Sequence, residues 1–170
     1  LFFNDLRVPA DALLGGVEGQ GFVQMMRELP RERLIIGVQA VYGAQGALDA
    51  TVQYVQERQA FGQAIGQFQN TRFTLAQCAS DIAAAKAFLN ASVAAYERGE
   101  LTPEAVSALK LHTTEVFGRV ADACLQLFGG YGYMAEYPIS RFWTDARVLR
   151  IYGGTSEIMK ELVARSLLGR

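Results

Sequence analysis

From Leu34 to Val55 apolar residues recur three or four positions apart, as Leu34, Val38, Val41, Leu48, Val52 and Val55. Residues at that spacing share one face of an α-helix. The stretch therefore commits the chain to a long amphipathic helix, and to other elements against which that face is buried. The pattern opens on Glu28-Leu29-Pro30-Arg31-Glu32-Arg33-Leu34. Pro30 suits a first helical turn, where its missing N–H costs nothing. Helical character reaches back to about Phe22 and on to about Arg58, with a kink expected near Pro30. Counted from Pro30, Glu32 falls in the first turn beside two arginines and admits two readings. It is an acid placed to complement the helix dipole, or it is the carboxylate base of an enzyme. Spacing alone favours the first.

Two further long patterns follow. A break at Arg58-Gln59-Ala60-Phe61-Gly62 and a lead-in at Ile65-Gly66-Gln67-Phe68-Gln69 precede a helix with Leu75, Cys78, Ile82, Ala85, Leu89, Val93 and Tyr96 on one stripe. Gly99 reads as its left-handed C-terminal residue. Thr102-Pro103-Glu104 restarts the chain with an N-cap, a proline and a first-turn acid. The third helix carries Leu109, Val116, Val120, Ala123 and Leu127 and stops at Gly129-Gly130. Tyr137-Pro138 opens a shorter helix, about Ile139 to Leu149. Gly153-Gly154-Thr155-Ser156 opens the last, with Ile158, Leu162 and Leu168. Three long helices with short links predict an all-α, antiparallel four-helix-bundle-like domain. At 170 residues, 51% hydrophobic and 19% charged, one domain has the apolar content for a core.

The opening residues differ from the rest. Leu1-Phe2-Phe3-Asn4-Asp5-Leu6-Arg7-Val8-Pro9 reads as a remnant β-strand, stopped by proline. A lone strand cannot satisfy its own edges, so it implies a sheet outside this chain. Gly15 to Gly21 is a glycine-rich connector. The expected division is residues 1–21, the end of another domain with a connector, and residues 22–170, the helical domain. A longer parent protein is expected.

Net charge is −1, which gives no electrostatic case for nucleic acid or an anionic membrane surface. No apolar run is long enough to cross a bilayer. Cys78 and Cys124 lie inside helical patterns, form no CxxC pair, and share the chain with a single histidine, His112. That argues against zinc or a disulfide framework, and for two buried reduced thiols in a cytosol-like compartment. His112 is spaced to pack near Leu109 and Val116, or at an interface.

Two glycine turns interrupt the helices, Phe128-Gly129-Gly130-Tyr131-Gly132-Tyr133 and Tyr152-Gly153-Gly154-Thr155-Ser156-Glu157. Glycine lets backbone approach a flat or anionic ligand, and the second turn adds a helix N-terminus with two hydroxyls. Each turn read singly is equally a helix end followed by a cap. Arg58 and Phe61 offer a charge and a stacking face at one helix junction.

In combination and order, these motifs resemble the C-terminal helical domain of the acyl-CoA dehydrogenases, over nearly the whole chain. The matching pieces are Arg58-Gln-Ala-Phe61-Gly62 with Ile65, Phe68 and Gln69; Gln126-Leu-Phe-Gly129-Gly130-Tyr-Gly132-Tyr133; Glu136-Tyr-Pro138 with Arg141 and Asp145-Ala-Arg147; and Tyr152-Gly-Gly-Thr155-Ser-Glu157-Ile158. The resemblance implies FAD-dependent α,β-dehydrogenation of acyl-CoA thioesters. A carboxylate removes the α-proton, the β-hydrogen leaves as hydride to the flavin, and the product is a trans-2-enoyl-CoA. In most members the base follows the tyrosine of the second glycine turn. Here that position holds Gly153, which cannot act. In the isovaleryl and long-chain types the base comes from a Leu-x-x-Glu-Arg-Leu stretch, which this chain matches at Leu29-Pro30-Arg31-Glu32-Arg33-Leu34. The resemblance therefore raises Glu32 to the expected base, and the long-chain type is the nearest.

Carried over residue by residue, the resemblance puts Arg58, Phe61 and Gln69 on the FAD of a neighbouring subunit, with Gln126, Gly129 and Gly130 on its adenosine and pyrophosphate side. It puts Thr155 and Glu157 on FAD from the other side, Arg33 near the CoA portion and Gly154 near the thioester. It implies a homo-oligomer (a tetramer or dimer of dimers), electron transfer to an electron-transfer flavoprotein, and a bacterial cytoplasm or mitochondrial matrix, the cytoplasm being favoured. Rival readings are an acyl-CoA oxidase or another flavin enzyme on the same scaffold, and a non-catalytic helical assembly module.

Overall fold

The computed structural model describes residues 1–169. Among them are five α-helices, α1 (Gly21–Glu57), α2 (Gln69–Glu97), α3 (Pro103–Phe128), α4 (Pro138–Leu149) and α5 (Ser156–Leu168), with two two-residue strands, β1 (Gln59–Ala60) and β2 (Gln63–Ala64). The all-α architecture stands. Short links join α1 to α2 and α2 to α3, and α3 packs against each of the other four helices.

Helix α1 runs through Pro30 without ending. Proline there deprives the Met26 carbonyl of its helical donor. Met26 lies on an exposed turn, where water can take up that bond. Glu32 is therefore well inside the helix. The dipole reading of this acid lapses, because that effect fades within the first turn.

The face of α1 that is buried is richer in small residues than the apolar spacing predicts. Gly37, Ala40, Ala44 and Ala47 are buried with Leu34, Val41, Leu48, Thr51 and Val55, whereas Val38 is 36% exposed. Small residues let α3 approach closely. A Cβ built on Gly37 would lie 3.1 Å from Leu109, and one on Gly43 2.7 Å from the Phe117 ring. Helix α3 buries most of its circumference because it is central. Its core side chains run from Val106 and Leu109 through Val116, Phe117, Val120 and Cys124 to Phe128. Leu127 and Ala123, expected in its stripe, are only partly covered. In α5 the buried anchor is Met159, while Ile158 and Leu168 are exposed.

The helix ends follow local chemistry. Thr102 Oγ1 accepts from the Ala105 N–H at 3.2 Å. At the end of α2 the Gly99 N–H donates to the Tyr96 carbonyl and the Glu100 N–H to the Ala95 carbonyl, at 2.9 and 2.8 Å. Those two bonds are the Schellman pattern, with Gly99 at φ +70°. Cys78 and Cys124 are buried free thiols, as expected.

Two expectations are corrected. Leu1–Pro9 forms no strand, because no ladder partner is present for it among the described residues. The only sheet among the described residues is the β1–β2 hairpin, pairing Gln59 with Ala64 and Ala60 with Gln63. Of the two placements expected for His112, the packed one is corrected, because the residue does not enter the core. It is exposed, with its ring 6.1 Å from that of Phe88.

Candidate functional site

The first glycine turn closes one cleft. Helix α3 ends at Phe128 and the chain tightens into a single 3₁₀ segment, Gly129–Tyr133. Beside it α1 ends, so Arg58 comes to lie over Tyr131, its guanidinium carbon 5.4 Å from the ring centroid. Tyr54 stacks on Phe128 at 4.0 Å and supports the floor. The resulting open cleft, of about 530 Å³, is lined by Arg58, Gln126, Gly129, Gly130 and Tyr131 among others. Four residues singled out from the sequence thus converge on one space.

Phe61 and Gln69 lie outside that lining. Phe61 and Gly62 both take positive φ, +50° and +80°, as a two-residue hairpin turn requires. The turn projects Phe61 away from the bundle, 96% exposed. Its ring meets Phe68 edge-on at 6.2 Å. Gln69 is the exposed first residue of α2.

The second glycine turn is held from beneath. Arg33 Nε donates to the Gly153 carbonyl at 3.1 Å, and Arg33 Nη1 to Ser107 Oγ at 3.4 Å. Lys110 Nζ donates to the Gly154 carbonyl. Glu115 ties down the other flank, pairing with Arg150 at 3.1 Å and accepting from Ser156 Oγ at 3.0 Å. Arg33 is 7% exposed, so its guanidinium is turned into the protein rather than out to solvent. Burial lowers its pKa, and the Glu32 charge works the other way. Lys110 is 1% exposed, and burial first, then the Arg33 charge, lower its pKa to about 8.

The conformation of the turn explains why glycine occupies it. Gly153 and Gly154 sit at φ +66° and +105°. A Cβ on Gly153 would fall 2.5 Å from Ile36 Cδ1, and one on Gly154 2.6 Å from Met159 Cε. Ile36 occupies the space through which a side chain at 153 would have to pass. Beyond the glycines, Thr155 caps α5 by accepting from the Ile158 N–H at 3.4 Å. The Glu157 carboxyl is held below its usual range, first by its own backbone N–H and then by Thr155. Thr155 and Glu157 share a polar cleft of about 270 Å³ with Arg147, Arg150 and Lys160.

Glu32 lines a separate cleft. It is exposed, has no ion-pair partner among the described residues, and lines a mostly apolar cleft of about 480 Å³. Leu13, Leu14, Val17 and Met25 make the apolar walls. Gln24 Nε2 fastens the connector to α1 by donating to the Leu14 carbonyl at 3.2 Å.

Four residues of the second turn's support, Ile36, Ser107, Lys110 and Glu115, were not marked by the sequence patterns. One signal was available for Lys110. Its helical neighbours Val106, Ser107, Thr113 and Thr114 include no acid to pair with it, on a helix whose stripe is otherwise apolar.

Fold and turns define a helical domain whose polar sites lie at helix junctions on its surface rather than in the bundle core. The family model described as "Acyl-CoA dehydrogenase, C-terminal domain" matches residues 19–168, and the chain belongs to that family. It is 45% identical over 168 residues to the mitochondrial long-chain specific acyl-CoA dehydrogenase of Sus scrofa, covering 99% of this chain and 39% of the relative. It is 40% identical over 170 residues to an acryloyl-CoA reductase (NADH) of Anaerotignum propionicum, covering 100% of this chain and 43% of that protein. Among solved structures it superimposes on an acyl-CoA dehydrogenase from Geobacillus kaustophilus with TM-score 0.92 at 42% identity, over 98% of this chain and 43% of that one. The chain thus spans about two fifths of the length of the relatives it matches. Relatives come from both mitochondria and bacteria. No helix among the described residues is long and apolar enough to cross a membrane.

Proposed function

We propose that this chain is the C-terminal domain of an FAD-dependent acyl-CoA dehydrogenase and that Glu32 is its base. One observation carries the assignment of the base. The turn position where most members hold the catalytic glutamate is Gly153, and Ile36 fills the space beside it. The candidate carboxylate is Glu32 on α1, whose chain neighbour Arg33 is bonded to that same turn. Its cleft is walled by leucine, valine and methionine. An apolar acyl chain lying there would strip water from the carboxylate and strengthen it as a base.

Binding and proton removal fall to the chain's own residues. Glu32 takes the α-proton. Gly154 lies close to the thioester, and Arg33, being turned inward, acts on that turn rather than on CoA. The cleft around Arg58, Gln126, Gly129 and Gly130 fits part of FAD by its chemistry. A guanidinium, an aromatic face at Tyr131 and backbone bared at two glycines suit a charged, flat nucleotide. Phe61, Gln69, Thr155 and Glu157 would hold it from neighbouring surfaces. When bound, FAD supplies the acceptor for the β-hydride. A homo-oligomer (tetramer or dimer of dimers), electron-transfer flavoprotein as oxidant, and a bacterial cytoplasm or mitochondrial matrix, the cytoplasm favoured, belong to the same proposal. The exposed Phe61 and the two free thiols support the oligomer and the compartment respectively.

The test is Glu32→Gln in the intact, FAD-loaded protein, with flavin bleaching followed anaerobically after acyl-CoA addition. Bleaching slowed by about a thousandfold or more, with FAD retained, is expected. Bleaching at near the unaltered rate would refute the assignment. The reductase among the relatives favours one further reading, the same transfer run toward the saturated thioester. Stopped-flow oxidation of the reduced protein by an enoyl-CoA distinguishes the two directions.

A further inference from the structure

Among the described residues Lys110 is the most heavily buried cation, and nothing about the bundle's packing calls for a lysine there. It is 1% exposed on α3, next to Leu109 at 0%. None of the ion pairs among the described residues involves Lys110 or Arg33. Two cations thus lie side by side beneath one turn without a carboxylate partner. Burying charge in that way is costly, and a methionine of similar length would fill the space at less cost. What the lysine does is specific. Its ammonium donates to the Gly154 carbonyl across 44 residues of sequence, while Arg33 takes the Gly153 carbonyl.

Those two bonds fix two successive peptide planes. In a trans peptide the N–H points away from the C=O, and the chain has no cis bonds among the described residues. With both carbonyls drawn inward, the N–H groups of Gly154 and Thr155 face the opposite way. Neither donates a backbone hydrogen bond among the described residues. We propose that Lys110 is a positioning residue for the dehydrogenation, holding the second glycine turn so that its free N–H groups are presented to the substrate. This rests on the reading that places Gly154 beside the thioester. The cations also polarise the two peptides they touch, which strengthens the outward donors.

The role separates from plain structural support by two readouts in the intact, FAD-loaded protein. One is the split between kcat and KM with acyl-CoA. The other is amide hydrogen exchange over residues 152–156. Lys110→Met should lower kcat about tenfold to a hundredfold, with KM changed by less than about threefold, because the misplaced donors act on the reacting carbonyl. Exchange at the turn should quicken while α2 stays protected. Lys110→Arg, which keeps charge and donor, should recover most of the loss. An unchanged kcat, or exchange that rises equally in every helix, would overturn the proposal. Should Lys110→Met fail to fold, Lys110→Arg and Lys110→Gln carry the comparison. Turn protection must then fall in the order Lys, Arg, Gln, and equal protection overturns it. If the unaltered protein reduces no FAD with any acyl-CoA, the dehydrogenase reading fails and this positioning role with it. Unchanged exchange at the turn in an active protein defeats the Lys110 proposal alone.

Discussion

Replacing Gly153 with alanine tests whether Ile36 closes off the space beside the second turn. Two costs follow from the geometry. At φ +66° an L-residue is strained by about 1–2 kcal/mol. The new Cβ would also lie 2.5 Å from Ile36 Cδ1, and Ile36 is 4% exposed, so it can yield only by leaving its rotamer, for about 1 kcal/mol. Reduced freedom of the unfolded chain returns about 0.5 kcal/mol. The net is a destabilisation of about 2 kcal/mol, a fall of about 1 M in the urea midpoint for a chain of this size. The discriminating experiment is the double-mutant cycle with Ile36→Val, read by urea unfolding under circular dichroism. In the unaltered background Ile36→Val should cost about 1 kcal/mol. In the Gly153→Ala background it removes the obstructing methyl and should be neutral or stabilising. Additivity within about 0.5 kcal/mol would refute the claim that these two residues compete for one space.

Leu109→Ala opens a cavity at the α1–α3 contact, where Leu109 is fully buried against Gly37. It should cost about 3–5 kcal/mol in the same assay. Lys110 predicts a pH dependence with a definite sign. Its folded pKa of about 8 lies below its ordinary 10.5, so between those values the unfolded chain binds more protons and stability from this group rises with pH. Relative to Lys110→Met, the unaltered protein should therefore gain stability from about pH 8 toward about pH 10, as followed by denaturant midpoints. A flat difference would contradict the burial of the ammonium.

Much of the site became legible when separate motifs were joined. Arg58, Gln126, Gly129 and Gly130 were each ambiguous as a helix end or a surface charge, yet they line one cleft. Arg33 was read toward CoA, because a sequence shows a cation without showing which way it turns. The fold shows it buried and bonded to Ser107 and the Gly153 carbonyl. Glu32 looked like a first-turn acid because Pro30 reads as a helix start, although helical character also reaches back to about Phe22. Local rules mark proline as a start, while packing of the whole helix carries it past that point.

The sequence by itself determined the helices and their punctuation. Threonine at 102 and 155, proline at 103 and glycine at 99 act on backbone groups a few residues away, so their effect is local and readable. Tertiary structure alone decided which members of each stripe are buried, setting Gly37, Ala40 and Ala44 against α3 while leaving Val38 exposed. It also joined Arg33 to Gly153 across 120 residues and Lys110 to Gly154 across 44. Periodicity names a face of a helix, but not what approaches it or how closely. That is settled only when several helices compete for the same volume, with every buried polar group needing a partner.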